Sequence, residues 1–354
     1  MRVRWFRSLL IVLIPLLAVG CTRAGQPGSG SSNFAGDGRL KVVASIYPVY
    51  EFARAVGGER IDLVLLVPPG TEPHDWEPSV GDIRTLNAAD LFLYSGAGFE
   101  HWVGQALASL DNRGLTVVET SEEFALLTES GELDDHHSGD GDEHAEHGEV
   151  GLDGKDAAGG GADDHNGHDG RDHDDHDHGG VDPHVWLDPA GAAHAVDRIE
   201  EALAAADPAN ADYYRANAAA YRDELTALDQ EFTTGLAQCR RDVFFTTHDA
   251  FGYLAHRYGL EQRAIMGLSP EAEPTPRALK AVVEEAREHD VHYIFFEALV
   301  SDKVARVVAD EIGASTLVLN PFEGLTPEQV AAGETYLSVM RQNLANLRVA
   351  LECE

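Results

Sequence analysis

The chain has 354 residues and a formal net charge of −35 at neutral pH. So acidic a surface argues against nucleic acid as a partner, because phosphates are repelled, and it suits cations. Hydrophobic residues make up 44% of the chain, which agrees with a folded, secreted globular protein.

The N-terminus predicts a lipoprotein signal peptide. Three arginines precede an apolar run at residues 9–19, which is too short to span a membrane as a mature helix. A small residue stands before Cys21, so we expect residues 1–20 to be removed and Cys21 to be lipidated. The alternative is an ordinary cleaved signal with an incidental cysteine. Residues 21–38 are rich in Gly and Ser and predict a flexible tether. The chain is then extracytoplasmic and anchored by lipid to the outer face of the cell membrane.

Short strands alternate with helices in residues 39–206, the predicted N-terminal lobe. This alternation implies parallel strand pairing in βαβ units. The apolar run at 61–67 favours a sheet that is covered on both faces. The predicted strands are 40–46, 61–67, 89–96 and 115–120. Two helices are predicted at 47–56 and 99–110. A third begins at Ser79 or Asp82, and a fourth runs from Asp188 or Pro189 to residue 206.

Apolar residues nearly disappear between residues 129 and 180, where Gly, Asp and His dominate. Such a segment cannot bury enough surface to fold, so we predict a disordered insertion. Runs such as DHDDHDH supply many weak, exchangeable metal ligands, and the alternative is a solvated acidic spacer without a defined role. The candidate weak ligands are His136, His137, His144, His147, His165, His168, His173, His176 and His178.

Residues 207–238 predict one long helix. Asp207 and Pro208 suit its start, and no Gly or Pro follows until Gly235. About thirty residues extend over roughly 45 Å, which favours a rigid connection between two lobes. The alternative is a long helix within a single domain. One apolar face is predicted from residues at three- and four-residue steps, namely Tyr214, Tyr221, Leu225, Leu228, Phe232 and Leu236.

Residues 239–354 repeat the plan of strands and helices and form the predicted C-terminal lobe. The fold is therefore predicted to be α/β, with two lobes that each contain a roughly four-stranded, mainly parallel sheet flanked by helices, joined by the long helix. The predicted strands are 241–249, 262–266, 291–297 and 315–320, and the predicted helices are one that ends at Tyr258, 276–289, 302–312 and 327–351.

Two cysteines remain after Cys21. Cys239 ends the long helix and Cys353 ends the last helix. In an oxidising compartment they can pair within the C-terminal lobe, and the alternative is two free buried thiols.

Three histidines outside the insertion share one kind of position. His74, His184 and His248 each lie just past a strand or at the start of a helix, and Glu323 follows the last strand. In an open α/β sheet this rim is where ligands bind. A single histidine there is more often structural, but the shared location favours one site in the cleft between the lobes.

Several polar and aromatic residues lie near these four residues in the sequence. Asp75 and Asp249 follow two of these histidines and are candidates to orient an imidazole, although for Asp249 we favour a cap on the next helix. Glu297 is a candidate support for the site or an ordinary salt-bridge partner. Trp76 and Trp186 are predicted to pack against the cleft walls.

Four segments carry a family resemblance. In order around the long helix, GTEPHDWEPS, VDPHVWLDPA, TTHDAFGYLA and NPFEGLT resemble the substrate-binding proteins of zinc and manganese ABC importers, the ZnuA/TroA-like group. The resemblance extends from Leu40 to Cys353, and a histidine-rich insertion is typical of the zinc members. It implies a monomeric protein, not an enzyme, that captures a metal ion between the lobes and delivers it to a membrane permease. The metal ligands that it implies are His74, His184, His248 and Glu323.

The residue types favour zinc. Three imidazoles and one carboxylate suit Zn²⁺ in tetrahedral geometry, whereas Mn²⁺ prefers more oxygen. Manganese members of the family differ by a carboxylate in place of His248. Four protein ligands leave no position for a reactive water, which favours transport over catalysis. The alternatives are a manganese importer component, a secreted zinc hydrolase, and a metal-buffering or adhesion lipoprotein that acts through the insertion.

Overall fold

The computed structural model describes residues 34–35, 38–128, 133–134, 180–270 and 274–354. The predicted signal peptide, Cys21 and all nine histidines of the insertion lie outside these residues. Within the described part of the chain, no helix combines the length and apolar character needed to cross a membrane.

The first sheet contains four parallel strands in the order β2-β1-β3-β4. Val42 in β1 pairs with Leu63 on one side and Leu91 on the other. Val42 and Val43 point to opposite faces and are both fully buried, because helices cover both faces of the sheet. The strands are β1 (Leu40–Ala44), β2 (Ile61–Leu65), β3 (Leu91–Tyr94) and β4 (Thr116–Glu119), and the helices are α1 (Tyr47–Gly57), α2 (Val80–Ala88) and α3 (Val103–Ala108).

A short antiparallel pair marks the beginning of the insertion, and a longer helix follows its end. The pair is β5 (Leu126–Leu127) with β6 (Leu133–Asp134). Helix α4 (Pro189–Ala206) begins with Pro189 in its first turn, and the Asp188 side chain accepts a hydrogen bond from the backbone of Ala190.

Helix α5 (Ala211–Leu236) is the predicted long helix, and it spans about 39 Å. It begins at Ala211 and not at the predicted start near Pro208, because Pro208–Asn210 form a separate 3₁₀ turn. The predicted apolar face is confirmed: all of its residues are buried except Tyr221, which is half-buried. Helices α1 and α4, which precede α5 in sequence, pack against it, and so do α6 and α10, which follow it. Helix α5 is therefore part of the core.

The second sheet repeats the topology of the first. Its order is β10-β9-β7-β8, all parallel, so in both sheets the first strand in sequence lies between the second and the third. The predicted α/β fold with two four-stranded parallel sheets and a long helix is confirmed. The strands are β7 (Val243–Thr246), β8 (Glu261–Ala264), β9 (Tyr293–Phe296) and β10 (Ser315–Val318), and the helices are α6 (Gly252–Tyr258), α7 (Pro276–Glu288), α8 (Lys303–Ile312), α9 (Pro327–Ala332) and α10 (Tyr336–Ala350).

Two predicted helices differ from the structure. Helix α3 begins at Val103 and not at Phe99, because the backbone at Gly96, Ala97 and Gly98 takes positive φ values and forms a turn. The single closing helix predicted for residues 327–351 is divided into α9 and α10. Gly333, with φ of 74°, ends α9, and a Thr335 capping box starts α10.

Cys239 and Cys353 form a disulfide. It joins the chain just after α5 to the chain just after α10, and the backbones of the two cysteines also form a short antiparallel bridge. The end of the long helix is thus tied covalently to the end of the chain.

We expect Leu228→Ala to lower the free energy of unfolding by about 3 kcal/mol, because it removes a fully buried side chain from the core face of α5. Chemical denaturation measures the change. The matched control is Glu224→Ala, on the exposed face of the same helix, which should change stability by less than about 0.5 kcal/mol. Equal effects of the two variants would contradict the packing of α5.

Candidate metal centre

Four side chains from separate parts of the chain converge at one point. His74 follows β2, His248 follows β7 and Glu323 follows β10, while His184 immediately precedes a 3₁₀ turn at Val185–Leu187. The carboxyl ends of parallel strands share one edge of a sheet, which brings these loops together. All four side chains are buried, with 0–5% of their surface exposed.

The spacing of the four side chains suits a tetrahedral ion. The Nε2 atoms of His184, His248 and His74 lie 3.1, 3.3 and 3.5 Å from Glu323 Oε1. The Nε2 atoms of His74 and His184 are 3.5 Å apart. Ligands about 2.05 Å from a tetrahedral zinc ion are separated by about 3.3 Å, which matches these distances.

Buried polar atoms at the centre also fit a bound cation. Neither Glu323 Oε1 nor His248 Nε2 has a hydrogen-bond partner of good geometry among the described residues. The four candidate ligand atoms lie within 4.8 Å of one another. A cation at their centre would satisfy atoms that are otherwise costly to bury.

Asp182 fixes the orientation of His184. Its Oδ1 atom is 2.8 Å from His184 Nδ1 and also accepts a hydrogen bond from the His184 backbone N–H at 2.9 Å. Asp182 is itself held, because its backbone N–H donates to Leu127 O and its carbonyl accepts from the Tyr253 hydroxyl. Because the carboxylate accepts a hydrogen bond from Nδ1–H, the proton stays on Nδ1 and Nε2 keeps its lone pair for a metal.

Glu297 holds His248 in the same way. Its Oε1 atom is 2.6 Å from His248 Nδ1 and accepts a hydrogen bond from the Thr247 hydroxyl at 2.6 Å. Of the two roles considered for Glu297, the structure shows support of the site. The helix cap expected at Asp249 is wrong, because α6 begins at Gly252 and Phe251 takes the capping position.

The four side chains shift one another's pKa values. Burial alone would raise the pKa of Glu323, but the neighbouring imidazoles of His74, His184 and His248 hold that pKa well below its usual range. Burial opposes charge on His184, yet Asp182 and Glu323 outweigh it and raise the pKa of His184 to about 9. Burial lowers the pKa of His74, against the attraction of Glu323.

Glu72 adds a carboxylate beside the centre. It accepts hydrogen bonds from the backbone N–H groups of His74 and Asp75, at 3.1 and 3.3 Å. Burial, followed by the charge of Glu323, raises the pKa of Glu72 to about 7. Glu72 therefore fixes the loop that carries His74 and places another carboxyl group beside the site.

A strained turn presents Glu323. Phe322 has φ of 59°, in the left-handed region that costs a non-glycine residue about 1–2 kcal/mol. The Phe322 N–H donates to Asn320 Oδ1, and Asn343 in α10 exchanges two hydrogen bonds with the backbone of Asn320. The fully buried Phe322 ring packs edge-on against Tyr336, which holds the strained turn in place.

Aromatic side chains enclose the histidines. The Phe99 ring lies 4.5 Å from the His74 ring and 5.3 Å from Trp186. The Trp186 indole donates a hydrogen bond to Pro321 O, so the segments that carry His184 and Glu323 are joined directly. Trp76 is farther out, where it packs edge-on against Trp102.

The structure thus brings His74, His184, His248 and Glu323 together, as the sequence led us to expect. It adds Asp182, which the sequence analysis did not single out although it lies two residues before His184. It also adds Phe99, which no local motif marks.

Comparison with known proteins places the chain in a family. The family model described as "Zinc-uptake complex component A periplasmic" matches residues 42–350. The chain is 36% identical over 348 residues to the high-affinity zinc uptake system protein ZnuA of Bacillus subtilis, covering 98% of both proteins. The chain belongs to this zinc-uptake component A family.

Streptococcal proteins are similar as well. The zinc-binding lipoprotein AdcA of Streptococcus pneumoniae serotype 4 is 36% identical over 346 residues, which cover 98% of this chain but 61% of AdcA. The chain spans less than two thirds of that relative. The crystal structure of the Zn(II)-bound ZnuA-like domain of S. pneumoniae AdcA matches with a TM-score of 0.68 and 35% identity, over 89% of this chain and 100% of that domain.

We expect Asn343→Ala to lower the free energy of unfolding by about 2 kcal/mol, because the backbone N–H and C=O of Asn320 lose their partners. Thermal or denaturant unfolding measures this change. Gln342→Ala, an exposed position on the same helix, is the control and should have little effect. An Asn343→Ala protein as stable as the wild type would show that α10 does not hold the strained turn.

Proposed function

We propose that this chain is the extracytoplasmic substrate-binding component of a high-affinity zinc ABC importer. It captures Zn²⁺ with His74, His184, His248 and Glu323 and delivers the ion to a membrane permease. The observation that carries the proposal is the buried group of three imidazoles and one carboxylate, in which each Nε2 atom lies 3.1–3.5 Å from Glu323 Oε1.

Ligand chemistry favours zinc over manganese. Imidazole nitrogen dominates the donor set, and the fourth ligand supplies oxygen. Zn²⁺ accepts such a tetrahedral set, whereas Mn²⁺ prefers oxygen donors in octahedral geometry. The names of the relatives, a zinc uptake protein and a zinc-binding lipoprotein, agree with zinc.

The same geometry favours transport over catalysis. A catalytic zinc ion keeps one position open for water or substrate, and here a fourth protein ligand stands 3.1–3.5 Å from the three imidazoles. Asp182 and Glu297, the carboxylates nearest to the histidines, are bonded to the Nδ1 atoms and do not face a reactive position. The membership of the chain in a zinc-uptake family points the same way.

Lipid attachment at Cys21 completes the proposal. An anchored protein stays close to the permease, and the tether of residues 21–38 lets the folded part reach it. We propose that residues 39–206 and 239–354 act as two lobes joined by residues 207–238. Because α5 is packed on both sides, release of the ion involves only modest lobe motion. The histidine-rich insertion serves as a weak metal buffer, and the protein acts as a monomer.

We expect the protein without residues 135–178 to bind one zinc ion tightly, with little competition from manganese, in isothermal titration calorimetry. His184→Ala should weaken that binding by roughly 100-fold or more, since loss of a ligand costs more than loss of its supporting group. The control is His256→Ala, an exposed histidine on α6, which should bind zinc as the parent does. Weak, multi-site binding after removal of the insertion would favour the metal-buffer alternative.

We expect Asp182→Asn to weaken zinc binding about 10–100-fold, because the amide no longer fixes the His184 tautomer. Calorimetry measures affinity, and thermal unfolding of the metal-free protein shows whether the fold is kept. Asp212→Asn, on the exposed side of α5, is the matched control. Unchanged affinity in Asp182→Asn would mean that Asp182 only supports the backbone.

A further inference from the structure

The buried ligands raise the question of how a metal ion reaches them. His74, His184, His248 and Glu323 are at most 5% exposed, so no ion can bind or leave without a local opening. An importer component must also release its cargo, which makes the place of that opening part of the function. The inference below rests on the proposed zinc function and concerns the route of the ion.

A small cavity adjoins the centre on the side of Glu323. Its volume is ≈ 10 Å³, which is room for about one water molecule. A zinc ion with its water ligands cannot pass through a space of this size in this conformation. It is lined by Glu72, residues 297–300, Asn320, Pro321, Glu323 and Gly324.

Residues 298–300 line the least buried side of this cavity. They follow β9, and Ala298 is exposed while Leu299 and Val300 are half-buried, in contrast to the buried Glu297. Leu299 packs directly against the backbone of Gly324, which has no side chain. A Cβ atom at position 324 would lie only 2.9 Å from Leu299 Cδ1. Of the residues at 298–300, Leu299 is therefore the side chain that covers Gly324, the residue after Glu323.

The inner lining of the cavity is polar and suits a hydrated cation. Glu72 and Glu297 contribute carboxylates, which attract positive charge. The Nδ2 atom of Asn320 is buried and has no hydrogen-bond partner among the described residues, because Oδ1 is the atom that accepts from Phe322. An unsatisfied N–H group of this kind can donate to the water molecules that a metal ion carries.

We propose that zinc enters and leaves through this cavity, with Leu299 as the gate and Glu72 as the carboxylate that the ion meets before Glu323. Rotation of Leu299 away from Gly324 joins the cavity to solvent and leaves the four ligands in place. A gate of this kind changes the barrier between the free and bound states and leaves the difference in free energy between them unchanged.

Stopped-flow kinetics tests the gate. In Leu299→Ala, zinc association and chelator-induced zinc release should both become about tenfold faster, with the dissociation constant within about threefold of the wild-type value. Leu299→Phe should slow both rates, again with little change in affinity. The matched control is Leu279→Ala, which truncates a half-buried leucine on α7 that does not line the cavity and should leave both rates unchanged.

Glu72→Gln tests the carboxylate. The amide oxygen can still accept from the His74 backbone, so the shorter of the two loop hydrogen bonds is kept while the charge and the longer bond from Asp75 are removed. Association and release should both slow by about threefold or more. A merely structural role would instead accelerate release alone and weaken affinity.

The outcomes are distinct. Unchanged rates in both Leu299 variants would overturn the gate and place the route elsewhere, for example beside Asp182 at the base of the insertion. Faster release with unchanged association in Leu299→Ala would overturn it too, because that result shows a weakened site. Stoichiometric zinc binding by the wild type upholds the proposed function in either case, whereas failure of the wild type to bind zinc would overturn both proposals.

Discussion

The structure depends on one buried negative charge, the carboxylate of Glu323, which three imidazoles surround at 3.1–3.5 Å. A carboxylate that is 4% exposed is stable only with positive charge or hydrogen-bond donors around it. His74 follows a strand of the first sheet and His248 follows a strand of the second, so neither sheet alone can assemble the site. The repeated strand order and the packing of α5 against helices from both parts of the chain keep those loops in register. The fold thus brings the four side chains together at one point.

Precision at the centre comes from residues that do not face the metal position. Asp182 and Glu297 each bind the far nitrogen of a histidine, and Glu72 holds the backbone of the loop that carries His74. Asn343 and the buried Phe322 ring keep a strained turn in the conformation that presents Glu323. Preorganisation of this kind reduces the ordering that a metal ion must induce and therefore favours tight binding. We expect the burial of the four side chains to slow exchange of the ion, which is why an opening beside Leu299 matters.

The sequence predicts the regular parts of this protein well, and the special backbone geometry poorly. Apolar steps of three and four residues locate α5, and alternating strands and helices predict both parallel sheets, because these features follow from local periodicity. The division of the closing helix does have local signals, Gly333 and the Thr335 capping box, which the prediction overlooked. The positive φ of Phe322 instead depends on packing against Tyr336, which no local pattern contains. Asp249 was wrongly expected to cap a helix because the following turn delays α6 by three residues. Asp182 was missed although it stands two residues before His184, a spacing that allows a side chain to fold back onto the ring.

The central claim is that three histidines and Glu323 alone complete the coordination of one zinc ion. Anomalous diffraction at the zinc edge, from crystals of the protein loaded with one equivalent of zinc, tests it most directly. The account predicts one strong peak with His74, His184 and His248 Nε2 and Glu323 as its ligands, at distances of about 2.0–2.2 Å. A peak at another place, or a water molecule in the position assigned to Glu323, would contradict the four-ligand carrier and reopen the hydrolase and buffer alternatives.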